Sequence, residues 1–89
     1  MAKVLVTIKV FPDDIETDLK ELLGKIKESL PEEYEVIRYR EEPIAFGLKA
    51  LVLYISIPEE TAGGTETLEK TIKDIEGVSQ VEVEMVTRI

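Results

Sequence analysis

The stretch Pro43-Ile44-Ala45-Phe46-Gly47-Leu48-Lys49 is the part of this chain best suited to act on another molecule. It lies between two strand-like runs, where tight connections ordinarily carry Asn, Asp, Ser or Gly. Here the tip is apolar. An aromatic ring beside a glycine does no covalent chemistry, but it is a shape that can insert into a partner. The commoner use of an apolar loop residue is packing, which would fold Phe46 back as a lid over the core. Other reactive groups are sparse. The chain has no Cys and no His, which removes disulfides, thiolate nucleophiles, the usual zinc ligands and the commonest neutral-pH proton shuttle. Adjacent carboxylates occur at Asp13-Asp14, Glu32-Glu33, Glu41-Glu42 and Glu59-Glu60, each beside a turn or the end of an element. They read as caps and solvated surface, because a metal or acid–base site needs carboxylates converging in a pocket. Gly63-Gly64 alone is a loop signal and not a phosphate site.

The elements that must position Phe46 follow from composition and periodicity. Eighty-nine residues, 44% hydrophobic and 34% charged, suit one globular domain with one modest core. Val4, Val6, Ile8 and Val10 alternate with Leu5, Thr7 and Lys9, which predicts a first strand over 3–11. Pro12-Asp13-Asp14 stops it and offers helix caps. Ile15, Leu19, Leu22, Leu23, Ile26 and Leu30 recur at helical spacing, with Glu16→Lys20 and Glu21→Lys25 pairs on the opposite side. Pro31 ends this helix. A second strand is predicted over 34–40. The nearly all-apolar run 48–57 predicts a central strand closed by Pro58. After a polar loop over 59–64, Thr65 reads as the N-cap of a second helix with Leu68, Ile72 and Ile75 inward, and Gly77 as its C-cap. The last strand, 78–89, places Val81, Val83, Met85 and Thr87 on one face and Glu82 and Glu84 on the other. The tyrosines at 34, 39 and 54 read as packing residues.

The order β-α-β-β-α-β predicts an α+β ferredoxin-like sandwich: a four-stranded antiparallel sheet with two helices on one face. The first and third strands take the centre, and the hairpin between the second and third displays Phe46 at one end of the sheet. This architecture hosts many functions, so exclusions carry weight. Acylphosphatases of this fold position water with an Asn, and this chain has none. Metal carriers of this fold use a Cys pair, also absent. RNA-recognition motifs stack bases on central-strand aromatics; only Phe11 and Tyr54 are available. A net charge of −8 opposes nonspecific nucleic-acid binding and favours solubility and a basic partner. No apolar run reaches the length of a membrane span, and the N-terminus does not read as a signal peptide. A cytoplasmic protein, monomeric when free, is the expectation. From the residues alone, a small ligand-sensing or oligomerising module remains open; a hydrolase is remote.

Residues 43–49, followed by an apolar strand, resemble the central signature of the translation elongation factor 1-beta family, in which a Pro-Ile/Val-Gly-Phe/Tyr-Gly-Ile-Lys-Lys-Leu stretch precedes the third strand. Pro12 to Leu19 is similar to the family's acidic entry to helix 1, with Ile15 as an extra residue. Gly64-Thr65-Glu66-Thr67-Leu68-Glu69 is similar to its start of helix 2. Thr87-Arg88-Ile89 stands where the family commonly ends on a Lys and one apolar residue. The resemblance covers the whole chain and is closest to the short archaeal form. It implies a single guanine-nucleotide exchange domain over residues 1–89 that promotes GDP release and GTP reloading on the elongation factor 1-alpha GTPase. It implies no covalent chemistry and no cofactor or metal of its own. Phe46 and Gly47 would form an aromatic wedge, Lys49 a supporting contact, and Arg88 a cation competing with the partner's Mg²⁺. Three departures bear on this. Ala45 replaces a Gly and is expected to restrict the turn that aims Phe46. Ala50 replaces a second Lys. Arg88 replaces a Lys and presents a planar fork instead of a point charge.

Overall fold

Alternating β-branched residues make Lys3–Pro12 (β1) the spine of the structure, a computed structural model that describes residues 3–59 and 65–89. The chain continues through Leu19–Ser29 (α1), Glu35–Pro43 (β2), Lys49–Pro58 (β3), Glu66–Lys73 (α2) and Val78–Arg88 (β4). The sheet order is β2-β3-β1-β4, with every neighbouring pair antiparallel. This is the ferredoxin-like α+β arrangement expected from the element order. β1 and β3, the most apolar strands, occupy the centre.

The register defines the two faces. Val6, Ile8 and Val10 lie opposite Ile55, Leu53 and Leu51. These six join Leu22 and Ile26 of α1 and Leu68 and Ile72 of α2 in one buried cluster. Both helices therefore cover the same side. Fully burying a side chain of this size contributes about 1.5–3 kcal/mol, so the centre of the sheet is where the fold is held. Val52 lies on the other side and is also fully buried. Its register partners are Lys9 on β1 and Arg40 on β2, residue types whose aliphatic stems can cover apolar surface while their charged ends reach outward.

Several local expectations are corrected. Asp13 and Asp14 do not cap α1. Asp18 does, its Oδ1 accepting from the N–H of Lys20 at 2.9 Å and of Glu21 at 3.3 Å. The helix thus starts at Leu19, and Ile15 and Glu16 lie ahead of it. Thr65 stands at the N-cap of α2 but makes no capping hydrogen bond; its hydroxyl bonds to Glu69 Oε2 at 3.4 Å. Gly77 does not cap α2, which ends at Lys73. It sits in the following turn with φ 102, where the Val78 N–H donates to the Ile75 carbonyl. Tyr39 is exposed, not packed. A register shift between Thr7 and Ile8 leaves Glu84 as the unpaired residue of β4 and moves Met85 and Thr87 to the face of Glu82. Such a bulge inserts one residue without a partner. The Gly63-Gly64 signal, Glu60 and the Gly64 of the helix 2 motif lie outside the described residues.

Candidate functional site

The β2–β3 hairpin carries the site because its turn cannot hide its side chain. The Leu48 N–H donates to the Ala45 carbonyl at 2.9 Å, and the Ile44 N–H donates to the Leu48 carbonyl at 2.8 Å. Phe46 and Gly47, between them, have φ of 53° and 80°. Positive φ at both central residues is the signature of a type I′ turn, whose twist matches that of the flanking strands. The left-handed conformation falls on Phe46, not on Ala45, so the Ala that replaces the family's Gly is not the strained position. An L-residue pays about 1–2 kcal/mol for this region. Phe46 gains no burial in return: it is 95% exposed. The lid reading is overturned, and the ring stands free beyond the end of the sheet.

Gly47 is needed for space as well as conformation. A Cβ built on it would lie 2.8 Å from Ile15 Cδ1. Ile15 belongs to the connection between β1 and α1, and it leans on the hairpin turn. Beside this contact is a groove of about 320 Å³ lined by Pro12, Ile15, Thr17, Leu19, Glu41, Gly47 and Lys49. Lys49 Nζ is 3.8 Å from Glu41 Oε1 across the hairpin. Phe46, Gly47 and Lys49 are therefore brought together.

Arg88 is not with them. Its register partner is Val4, at the start of β1, whereas the hairpin continues from Leu51, opposite Val10. Six strand positions separate the two levels, about 20 Å at a rise near 3.3 Å per residue, and Phe46 lies further out. The Arg88 side chain is 76% exposed, and its guanidinium pairs with Glu59, just after β3. The candidate residues thus form two groups at opposite ends of one sheet.

Between them, the helix-free face carries a charged network. Lys9 Nζ bonds to Glu42 Oε2 at 2.5 Å and lies 3.4 Å from Glu84 Oε2, so one side chain on β1 ties the two edge strands. Arg40 Nη1 donates to Glu42 Oε1 at 3.2 Å, and its Nε donates to the Tyr54 hydroxyl at 3.1 Å. The Arg38 guanidinium lies 4.7 Å from the Tyr54 ring centre, within cation–π range. The Lys9 hydrogen bond holds the Glu42 carboxyl below its ordinary range, against some desolvation, with Arg40 adding to it. The same bond raises Lys9, with Glu84 contributing. The hydrogen bond from Arg40, against some desolvation, lowers the Tyr54 phenol, and the nearby Arg38 charge adds to it. Glu42 immediately precedes Pro43, so this network anchors the base of the hairpin. Among the described residues no cluster of carboxylates could hold a metal ion, and no helix is long and apolar enough to cross a membrane.

Sequence reasoning missed Ile15. Its spacing four residues before Leu19 imitates a helical face. The signal that separates it from the helix is Asp18-Leu19-Lys20-Glu21, an N-cap residue followed three positions later by an acid. The Lys9–Glu42 link left no sequence signal, since the two residues are on strands that are not neighbours.

Comparison with known proteins supplies the context. Residues 5–89 match the family model described as the EF-1 guanine nucleotide exchange domain. A protein of Staphylothermus marinus named elongation factor 1-beta is 66% identical over 89 residues, covering 100% of this chain and 99% of that protein. Proteins of the same name from Desulfurococcus amylolyticus and Saccharolobus solfataricus are 60% and 52% identical over 89 residues, covering all of this chain and 99% and 98% of theirs.

Proposed function

We propose, from the premise that this chain belongs to the EF-1 guanine nucleotide exchange domain family, that it opens its partner GTPase through two separate contacts, the Phe46 turn and the Arg88 end of the sheet. The chain is a guanine-nucleotide exchange factor for elongation factor 1-alpha and not a catalytic enzyme. Its task is release. GDP is held by a phosphate-binding loop, by Mg²⁺ and by base contacts, and every tenfold gain in off-rate requires about 1.4 kcal/mol off the barrier. A factor achieves this by binding the nucleotide-free state better than the loaded one, and the nucleotide weakens the factor in the same proportion.

The observation that carries the reading is a fully solvated phenyl ring held in a left-handed turn. Strain with no burial to offset it is expected where a side chain serves a partner. Phe46 acts as a wedge against an apolar element of the GTPase, Gly47 lets the turn form, and Lys49 supplies a flanking charge. Arg88, exposed and paired with the Glu59 carboxylate, exchanges Glu59 for the acidic surroundings of the partner's Mg²⁺. A separation above about 20 Å means that the two groups cannot share the nucleotide pocket, so they grip different regions of the GTPase.

The free protein acts as a monomeric domain spanning residues 1–89, in the cytoplasm with the translation machinery. Supporting monomer, the edge strand β2 carries Glu35, Arg38, Arg40, Glu41 and Glu42 and a register irregularity between Val36 and Arg38, and β4 carries Glu82 and the unpaired Glu84. Charges and bulges discourage edge-to-edge pairing. The test is release of a fluorescent GDP analogue from the cognate GTPase into excess unlabelled nucleotide. Substoichiometric wild-type protein should accelerate release severalfold or more, and Phe46→Ala, still folded, should lose most of that acceleration. Normal exchange by Phe46→Ala would remove the wedge role.

A further inference from the structure

We infer that Ile15 is a positioning residue for nucleotide exchange, bracing the Phe46–Gly47 turn from the β1–α1 connection. The inference rests on the reading of Phe46 as the wedge. Ile15 is 59% exposed, yet what it does touch is specific. Its Cδ1 occupies the space that a Cβ on Gly47 would need, at 2.8 Å, and its Cγ1 lies 3.7 Å from the same point. The two segments meet only in the fold.

The brace is itself fixed. Asp14 Oδ1 accepts from the Glu16 N–H at 2.9 Å, and the Asp14 carbonyl accepts from the Thr17 N–H at 3.1 Å. The Thr17 hydroxyl donates to Asp13 Oδ1 at 3.3 Å. The Asp13 N–H donates to the Gly77 carbonyl at 2.9 Å, joining this turn to the entry of β4. Ile15 therefore sits at the tip of a hydrogen-bonded turn and cannot easily swing away from the hairpin.

A projecting hairpin needs such support. Its turn is closed by its own two backbone hydrogen bonds, and a wedge that wags loses its direction when pressed against a partner. Ordering it on contact would cost binding free energy; bracing it beforehand removes part of that cost. The apolar Ile15, amid Asp13, Asp14, Glu16 and Asp18, is not a member of the buried cluster formed by the described residues.

The experiment measures fluorescent-GDP release from the cognate GTPase across factor concentrations, using wild type, Ile15→Ala, Ile15→Leu, Phe46→Ala and the Ile15→Ala/Phe46→Ala pair, each checked for folding by circular dichroism. Ile15→Ala should lower kcat/KM about five- to tenfold, the scale of coupling between residues in contact. Ile15→Leu should restore it to within about twofold, because a branched side chain again fills the space against Gly47. In the Phe46→Ala background, Ile15→Ala should add nothing. Wild-type exchange by Ile15→Ala, with Phe46→Ala inactive, would overturn the brace and leave the wedge standing. The same fold-loss in both backgrounds would make Ile15 an independent contact and also overturn the brace. Normal exchange by Phe46→Ala would overturn the wedge itself.

Discussion

Replacing Phe46 by Asn should make this protein more stable and much less active. Phe46 is held at φ 53°, a conformation costing an L-residue about 1–2 kcal/mol. Asn tolerates it better and is among the preferred residues of type I′ turns. The lost phenyl ring costs the fold little, since 95% of the residue is in solvent. The net gain is about 0.5–1.5 kcal/mol, the part of the left-handed penalty that Asn relieves. A change of about 1 kcal/mol moves the midpoint of a domain this size by roughly 4–8 °C. Phe46→Ala is the control: it removes the ring but keeps a Cβ at positive φ, so its midpoint should stay near that of the wild type. Thermal melts by circular dichroism, with parallel GDP-release assays, read both quantities. The expected order of midpoints is Asn above wild type, with Ala near wild type, while exchange falls in both variants. If Phe46→Asn melts lower than wild type, the exposed ring is contributing to the fold and the strain argument fails. If it melts higher and still exchanges normally, the turn is strained for a reason unrelated to exchange.

Gly47→Ala should destabilise the protein by about 1–3 kcal/mol, combining the left-handed penalty with overpacking against Ile15, and adding Ile15→Ala in denaturant titrations should recover only the overpacking share. Glu42 should make stability fall in acid: its pKa is lowered in the folded state, so its contribution is present above the ordinary carboxylate range and is lost as pH drops through the lower folded value. Lys9 runs the other way, raised by the same contact, so its contribution is lost only as pH rises through its folded value. Melting Glu42→Gln from pH 2 to 7 should give a flatter acid limb than the wild type; an unchanged limb would contradict the link between Lys9 and Glu42. Arg88→Ala should leave the melting midpoint within about 2 °C, because exposed ion pairs contribute little, while slowing GDP release; a large stability loss would reassign Arg88 to structure.

The architecture was legible because its signals are repeated. Four alternating apolar residues in β1 and an almost unbroken apolar run in β3 each state burial several times over, so element order and central strands followed. Local punctuation was less legible because neighbouring residues offer competing solutions. Asp13, Asp14 and Asp18 are all good caps, and only the choice of Asp18 frees Ile15 from the helix. Gly77 and Thr65 are suited to capping by type, but their roles depend on where the preceding or following turn actually closes. For Phe46 the sequence identified the residue and the hairpin, while exposure depended on the signs of two dihedral angles. The distance between Phe46 and Arg88 was implicit in the strand order, since one stands beyond the start of β3 and the other at the end of β4.

Glu84 has a consequence that reaches beyond its own pairing. Side chains along a strand obey a parity: odd and even positions face opposite sides of the sheet. By standing out of register, Glu84 reverses the parity of every residue after it. Arg88 thereby lies opposite Val4 and shares its face. Were Glu84 paired in register opposite Thr7, Arg88 would lie opposite Lys3, on the far side of the sheet, and its guanidinium would leave Glu59 behind. The side of the molecule from which the last cation approaches a partner is thus chosen four residues earlier, by a single unpaired acid whose carboxylate is held in place by Lys9.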